Sequence, residues 1–338
     1  MASNRIEYLD LARGLAVFFM VMQHTIIIHA QGGGEGDGII GNVFLLLGTA
    51  PAAPVFMLVM GVFIMKSRGT ALALARRGCL LFTLGYLLNL LRFTLPLSVV
   101  QALGATLAPN ESPGYLFWEV DILQLAGLSF IAASVLRRWA VHPIVFPALI
   151  AAVLVGSPSL WGRLEGIPFV APLWGTAEFV SFPFFPWVAY PLLGMYLSER
   201  LFNWANTPRT TSIMMVAGTL LGIVGLLTFE ALGAGDYYRS GAGVHLGMMG
   251  FVLLWLAACY GICRLVNTDG HGFQLIFFWS RQVTGIYFIQ WIIFGWSFLL
   301  FGTGALNDYG AVLFGLVVLG LSHLLMACKP LQDLFNRI

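Results

Sequence analysis

The stretch RIEYLDLARGLAVFFMVMQHTIIIH, residues 5–29, decides the fold. From Leu9 onward it is apolar apart from Asp10, Arg13, the Gln23–His24–Thr25 step and the closing His29. About 20 such residues in a helix cross the hydrocarbon of a bilayer. Ionisable groups inside such a helix are costly, and they are expected to face a protein interior or a water-filled cavity rather than lipid. Asp10 and Arg13 stand at i,i+3 and share one surface. Arg13 and His24 are eleven residues apart, about three turns and a rise of about 16 Å. One stripe, running through Asp10, Arg13, Val17, Met20, Val21, His24 and Ile28, therefore carries the charges into the membrane. The plainer alternative makes Asp10–Arg13 an interfacial snorkelling pair and leaves His24 bonded to a backbone carbonyl.

Working outward, the rest of the chain repeats the apolar pattern. Of its 338 residues, 59% are hydrophobic and 9% charged, against roughly 25% charged in soluble domains. Lipid must therefore be the solvent for most side chains. Ten apolar stretches qualify as spans: 9–30, 40–65, 76–95, 118–136, 141–157, 181–198, 210–232, 244–264, 274–300 and 310–327. The expected fold is all-α, a polytopic transmembrane bundle of about ten helices forming a single domain over 1–338. The segment MASNRIEYLDLARG is short and polar, so the first helix is expected to be retained rather than cleaved as a signal peptide. A net charge of +2, with no basic tract and no zinc-type Cys/His spacing, argues against nucleic acid and against a metal.

Charge placement orients the map. With the N-terminus in the cytoplasm, Arg5, Lys66, Arg68, Arg76, Arg77, Arg137, Arg138, Arg200, Arg209, Arg264, Arg281, Lys329 and Arg337 fall inside. Only Arg92, Arg163 and Arg239 fall outside, the asymmetry expected of cytoplasmic loops. The outer side collects Glu35, Asp37, Glu111, Glu119, Asp121, Glu165, Glu178, Glu230, Asp236 and Asp308, a polar face suited to hydroxyl-rich ligands. The outer loops 96–117 and 158–180 are the longest and are candidate binding loops. Cys79, Cys259, Cys263 and Cys328 lie near cytoplasmic helix ends, where disulfides are disfavoured, and read as small apolar filler. His142, His245, His271 and His323 read mainly as structural, although His245, near Asp236 and Arg239, stands where it could join an outer binding site.

The step LDLARG, with Arg13, ten intervening residues and His24, resembles the opening of integral-membrane acyltransferases. In the bacterial acyltransferase family three, an Arg-x10-His pattern on the first helix is linked to acyl transfer. Other stretches are similar to the heparan-α-glucosaminide N-acetyltransferase branch of that superfamily: APVFMLVMGVFIMKS (53–67), RRGCLLFTLGYLLNLLR (76–92), VDILQLAGLSF (120–130), FPFFPWVAYPLLGMYLSER (182–200) and WSRQVTGIYFIQW (279–291). The last resembles a late helix in which a His is usual where this chain has Gln290. An amide cannot act as a base, and the first outer loop does not match the region that carries the proposed catalytic His of the animal enzyme. The resemblance therefore leaves that role to His24 or His29.

What the resemblance implies is a membrane enzyme that moves an acyl group, acetyl by preference, from cytoplasmic acetyl-CoA or another acyl-CoA to a carbohydrate or glycan hydroxyl or amine at the outer side of a bacterial inner membrane. His24 is the candidate base or transient acyl carrier, with direct transfer preferred, and Arg13 is the second candidate catalytic residue. Asp10, His29, Glu119, Asp121, Gln124 and Arg92 are candidate acceptor-site residues, and Asn89 and Tyr86 further candidate donors to an oxyanion. Arg76, Arg77 and Arg281 are candidates to hold the phosphates of the donor, although cytoplasmic arginines also serve topology alone. The partners implied are membrane lipid, acyl-CoA and a glycan; assembly of identical copies is compatible with the pattern. The competing readings are a transporter or flippase that uses the same stripe as a solute or proton path, against which the absence of a paired repeat weighs, and a non-catalytic membrane sensor, which gives Arg13 and His24 no role.

Overall fold

The computed structural model describes residues 6–31, 38–49, 51–164, 167, 170–203, 208–233 and 235–337. Arg5, Glu35, Asp37 and Glu165 of the charge map lie outside them. In chain order the helices are α1 (Glu7–His29), α2 (Ile39–Thr49), α3 (Ala52–Lys66), α4 (Ala71–Asn89), α5 (Leu95–Ala102), α6 (Pro113–Phe117), α7 (Ile122–Arg138), α8 (Phe146–Gly156), α9 (Ala171–Trp174), α10 (Phe184–Trp187), α11 (Ala189–Asn203), α12 (Pro208–Leu232), α13 (Ala242–Leu265), α14 (His271–Arg281), α15 (Val283–Phe301), α16 (Asp308–Ala327) and α17 (Lys329–Asn336). The protein is an all-α polytopic membrane protein. Among the described residues, seven helical runs are long and apolar enough to cross a membrane: Glu7–His29, Ile39–Lys66, Ala71–Ala102, Arg209–Leu232, Ala242–Leu265, Val283–Phe301 and Asp308–Ala327. The other three expected spans correspond to the shorter helices α7, α8 and α11.

Helix boundaries depart from the apolar runs where local chemistry intervenes. The run 40–65 is divided by Pro51, with helices described up to Thr49 and from Ala52, because proline has no N–H to continue the ladder. The run 181–198 becomes helical in earnest only at Ala189; Phe185, before Pro186, takes extended dihedrals (φ −97°, ψ 119°), as a residue preceding proline prefers. The run 274–300 is divided at Gln282, whose φ of −104° and ψ of 22° separate α14 from α15. The third span does not end near residue 95 but continues to Ala102.

The contacts divide the chain into two compact units. One comprises residues 1–9, 54–85 and 119–265. Within it α3 and α11 meet backbone to backbone: a Cβ added to Gly61 would overlap the Pro191 carbonyl, and one added to Gly194 would overlap the Leu58 carbonyl. The Ser198 hydroxyl, fully buried, donates to the Val62 carbonyl at 3.1 Å. Small residues permit this approach between membrane helices, where van der Waals contact replaces the hydrophobic effect as the driving force. Gly78 and Gly127 give α4 and α7 a similar seam. Arg137, at the end of α7, donates to the carbonyls of Ile64, in the last turn of α3, and of Ser67 and Gly69 in the loop that follows. A cavity of about 430 Å³ opens beside it, lined by Met65, Leu136, His142, Phe146 and Met195 among others. The long helix α12 leaves Ile213, Val216, Leu220, Leu226 and Leu227 exposed, an apolar face suited to contact with lipid.

The second unit comprises residues 10–53, 86–118 and 266–338. Its centre is α1. Gly14 abuts the Ile276 carbonyl of α14, Gly48 of α2 abuts Gln23, and Gly315 of α16 abuts Met22 and Thr25. The end of α1 is tied to the 302–306 segment: Gly304 N–H donates to the Ile28 carbonyl at 3.1 Å, and Leu306 N–H to that of His29 at 2.8 Å. Asp308, 6% exposed at the start of α16, accepts from the N–H groups of Gly38 and Gly41 at 2.9 and 3.1 Å and so caps α2.

The α3–α11 seam generates a stability prediction. Gly194→Val forces a side chain against the Leu58 carbonyl, and it is expected to destabilise the protein by about 1–3 kcal/mol. Thermal unfolding in detergent should show a lower midpoint; an unchanged one would mean the two backbones are not in contact.

Candidate active site

The polar end of α1 closes a triangle with α14. Arg13 and Asp10 form an ion pair at 3.5 Å. Arg13 Nε donates to the Ser280 hydroxyl at 2.9 Å, and that hydroxyl donates to Asp10 Oδ1 at 2.9 Å. Asp10 is 8% exposed and Ser280 fully buried. Burying an ion pair is favourable only when its remaining donors and acceptors are satisfied, and one serine supplies both a donor and an acceptor here. The triangle hangs on the close approach at Gly14, one residue beyond Arg13.

Three turns further along, His24 faces the following helix, α15. The Gln290 side-chain amide lies 3.3 Å from its Nδ1. The ring packs on Trp291, with centroids 4.7 Å apart, and meets Tyr287 and Phe294 edge-on, both at 6.4 Å. Arg13 and His24 thus point to the same side of α1, toward α14 and α15. Gln23 diverges as its helical phase requires and donates to Thr49 of α2 at 2.5 Å.

Arg92 enters the same neighbourhood by an irregular turn. Between α4 and α5 the helix widens into a π turn, Leu90–Thr94, with the Leu95 N–H bonding the Leu90 carbonyl. Pro96 is the cause. It has no N–H to offer, and its ring crowds the carbonyl four residues back, that of Arg92. The next bond of the widened ladder would run from Pro96 to the Leu91 carbonyl, and Trp296 Nε1 takes that acceptor instead at 3.1 Å. The Arg92 carbonyl lies where a Cβ on Gly295 would be. Its guanidinium, fully buried, donates through Nε and Nη2 to Asn89 Oδ1 at 3.2 and 2.9 Å. The guanidinium carbon sits 4.4 Å from the Phe93 ring centre and 4.5 Å from that of Trp291. One indole therefore touches both Arg92 and His24. Arg92 was expected at the outer mouth of its helix; it is instead a buried group, because the helix runs on past it.

The profile of the acyltransferase domain family matches residues 6–328 of this chain. The protein belongs to acyltransferase family three. It is a membrane acyltransferase. No curated protein matches it closely enough to be reported as a relative.

Within this acyltransferase the remaining candidates separate by unit. Asp10, Arg13, His24, His29, Arg92 and Arg281 belong to the unit built on α1, whereas Arg76, Arg77, Glu119, Asp121 and Gln124 belong to the other. His29 is fully buried, with Nδ1 3.2 Å from the Gly302 carbonyl and Nε2 2.9 Å from the Ser297 hydroxyl, inside a ring of Phe294, Phe298, Phe301 and Phe314. Both its nitrogens are engaged in holding the end of α1. Asp121 and Gln124 form a capping box at the start of α7: Gln124 Oε1 accepts from the Asp121 N–H, and its Nε2 donates to the Glu119 carbonyl, both at 3.1 Å. The Gln124 amide is thus occupied by the helix start. Beside the cap, burial together with the carboxylates of Asp121 and Glu119 pushes the Tyr238 phenol up to about 12. Arg76 is exposed, and the Arg77 guanidinium carbon sits 5.0 Å from the Phe130 ring centre.

Of the other expected donors, Asn89 supports Arg92 and donates to the Phe117 carbonyl at 2.9 Å, and Tyr86 packs on Phe117 and Trp118. His142 accepts from the Ile144 N–H at its turn, His323 meets Phe278 edge-on at 4.7 Å, and His245 pairs with Tyr190 at 3.0 Å. Ser280 and Trp291 are the site residues that the sequence did not single out. Both lie in the WSRQVTGIYFIQW stretch, but nothing in its spacing marks a serine or an indole as a partner of α1. Among the described residues, no three His, Cys, Asp or Glu side chains come together to hold a metal.

Ser280→Ala removes the hydroxyl that joins Arg13 to Asp10. It is expected to cost about 1–3 kcal/mol of stability and to lower acyl transfer, read as a reduced unfolding midpoint and a reduced initial rate. A variant that matches wild type in both would show the triangle to be dispensable.

Proposed function

We propose that this acyltransferase moves an acyl group, acetyl by preference, from cytoplasmic acyl-CoA to a hydroxyl or amine of a carbohydrate at the opposite face of a bacterial inner membrane, with both termini cytoplasmic. The observation that carries the reading is the shared facing of Arg13 and His24 toward α14–α15, three turns apart on one helix. A single polar stripe of that length suits a reaction whose donor and acceptor approach from opposite sides of the membrane. The stretches similar to the heparan-α-glucosaminide N-acetyltransferase branch support a sugar acceptor and an acetyl donor, and the lopsided distribution of arginine and lysine supports the orientation.

In this reading His24 is the general base. It takes the proton of the acceptor hydroxyl or amine as the acceptor's oxygen or nitrogen bonds to the thioester carbonyl carbon. The tetrahedral species collapses with cleavage of the C–S bond, and the proton passes from His24 to the departing thiolate. Charge that builds on the carbonyl oxygen needs a preorganised donor. Arg92, held rigid by Asn89 and two ring faces, is suited to that need or to an anionic part of a substrate. Arg13 and Arg281, at the end of α1 expected to be cytoplasmic, are candidates to hold the donor's phosphates, and the Arg76–Arg77 pair of the other unit is a separate candidate for the same task.

Purified protein in vesicles, supplied with radiolabelled acetyl-CoA and a panel of mono- and oligosaccharides, should yield labelled sugar. His24→Ala is expected to lower the rate by about 10²–10⁴ with folding unchanged, and full activity in it would remove His24 from the chemistry. Arg76→Ala with Arg77→Ala is expected to raise the donor KM severalfold at similar kcat, and an unchanged KM would assign the pair to topology alone.

A further inference from the structure

Gln290 carries more information than its contact distance. Its side chain is fully buried, and its amide lies 3.3 Å from Nδ1. As placed, the amide nitrogen faces the ring, and Oε1 is buried with no hydrogen-bond partner among the described residues. Turning the amide by half a rotation exchanges the two atoms without moving any other group, since oxygen and nitrogen are nearly isosteric.

The two orientations differ in what they allow His24 to do. An amide N–H aimed at Nδ1 requires a lone pair there, which places the ring hydrogen on Nε2. It also opposes protonation, because an imidazolium would set N–H against N–H. An amide oxygen accepts from Nδ1–H in the neutral ring and equally in the imidazolium, and leaves the Nε2 lone pair available. A base cycles between those two states, so only the oxygen-facing orientation supports the whole cycle. We infer that Gln290 is a positioning residue for His24: its carbonyl oxygen accepts from Nδ1–H and fixes the tautomer whose Nε2 takes the acceptor's proton. This rests on the reading of His24 as base. Tyr287 of α15 also meets the ring edge-on, and the Arg92 guanidinium shares Trp291 with it.

Gln290→Glu and Gln290→Leu test the assignment in the full-length protein. The glutamate keeps the shape and replaces the amide with a group that accepts only. It is expected to retain the plateau rate while moving the acid limb of the pH–rate profile up by about one pH unit or more, because a carboxylate holds the imidazolium more tightly. The leucine is expected to lower kcat at least about tenfold, with the donor KM unchanged, because the ring loses its fixed tautomer. A folded Gln290→Glu protein with wild-type pH dependence, or with its activity abolished, would overturn the inference.

A second measurement does not depend on turnover. Ring-nitrogen spectra of ¹⁵N-histidine-labelled wild-type protein, with the His24 signal identified by its loss in His24→Ala, should show hydrogen on Nδ1. Hydrogen on Nε2 would sink the proposal. If wild-type protein transferred no acyl group while the Nδ1–H tautomer was present and lost in Gln290→Leu, the positioning role would stand and the proposed function would fall.

Discussion

Asp10, Arg13 and His24 sit on a helix that is otherwise built for lipid, and the cost of placing them there governs the unit around it. A charged group at membrane depth is tolerated only against polar partners or water. α1 meets that requirement with side chains from the next two helices in space: Ser280 for the ion pair and Gln290 for the imidazole. These contacts also fix the rotation of α1, since turning it by one residue would carry the ionisable groups onto apolar neighbours. Gly14 and Gly48 are small where α1 meets its neighbours for the same reason: a hydrogen bond about 3 Å long between side chains of different helices needs their backbones close.

The same constraint explains why the α14–α15 segment is divided. Ser280 must reach the start of α1, and Gln290 must reach a point three turns along it. The irregular dihedrals at Gln282 fall between these two contacts. The π turn at Leu90–Thr94 is a comparable adjustment on another helix. Beside it Trp296 takes the Leu91 carbonyl, and the Arg92 carbonyl packs against Gly295 of α15. The outcome is a buried guanidinium between two rings, beside the indole that also contacts His24. Two of the departures from regular helix thus fall beside the residues that surround the polar stripe of α1, as expected when local geometry yields to a site.

Much of this was legible in the residues. The apolar runs mark every membrane-length helix, because hydrocarbon thickness imposes a length that composition displays directly. The i,i+3 and i,i+11 spacings foretold that Asp10, Arg13 and His24 share a face, since helical phase is fixed by geometry alone. What stayed hidden depends on partners distant in sequence. Ser280 looks like any serine in a membrane helix until Asp10 and Arg13 are placed beside it. Arg92 reads as an outer-mouth residue because an apolar run does not reveal that the helix continues to Ala102. Gln124 looks like a spare donor, yet the Asp-x-x-Gln spacing at 121–124 is a helix-start signature, and the capping box could have been read from it.

The family relationship selects among the readings of the stripe. A transporter and an acyltransferase both need buried ionisable groups, so the contacts of Arg13 and His24 alone do not separate them. The match over residues 6–328 does, by covering every element that contributes to the site rather than the first helix only. On the reading proposed above, the finer chemistry then turns on how a neutral amide serves His24, at a position where the late helix that this stretch resembles carries a histidine. A histidine partner must adopt the complementary tautomer and can itself take up a proton, so it couples the base to a second titration. An amide has no titration of its own. That substitution simplifies the proton inventory of the site while preserving the geometric demand that one hydrogen-bonding atom face Nδ1.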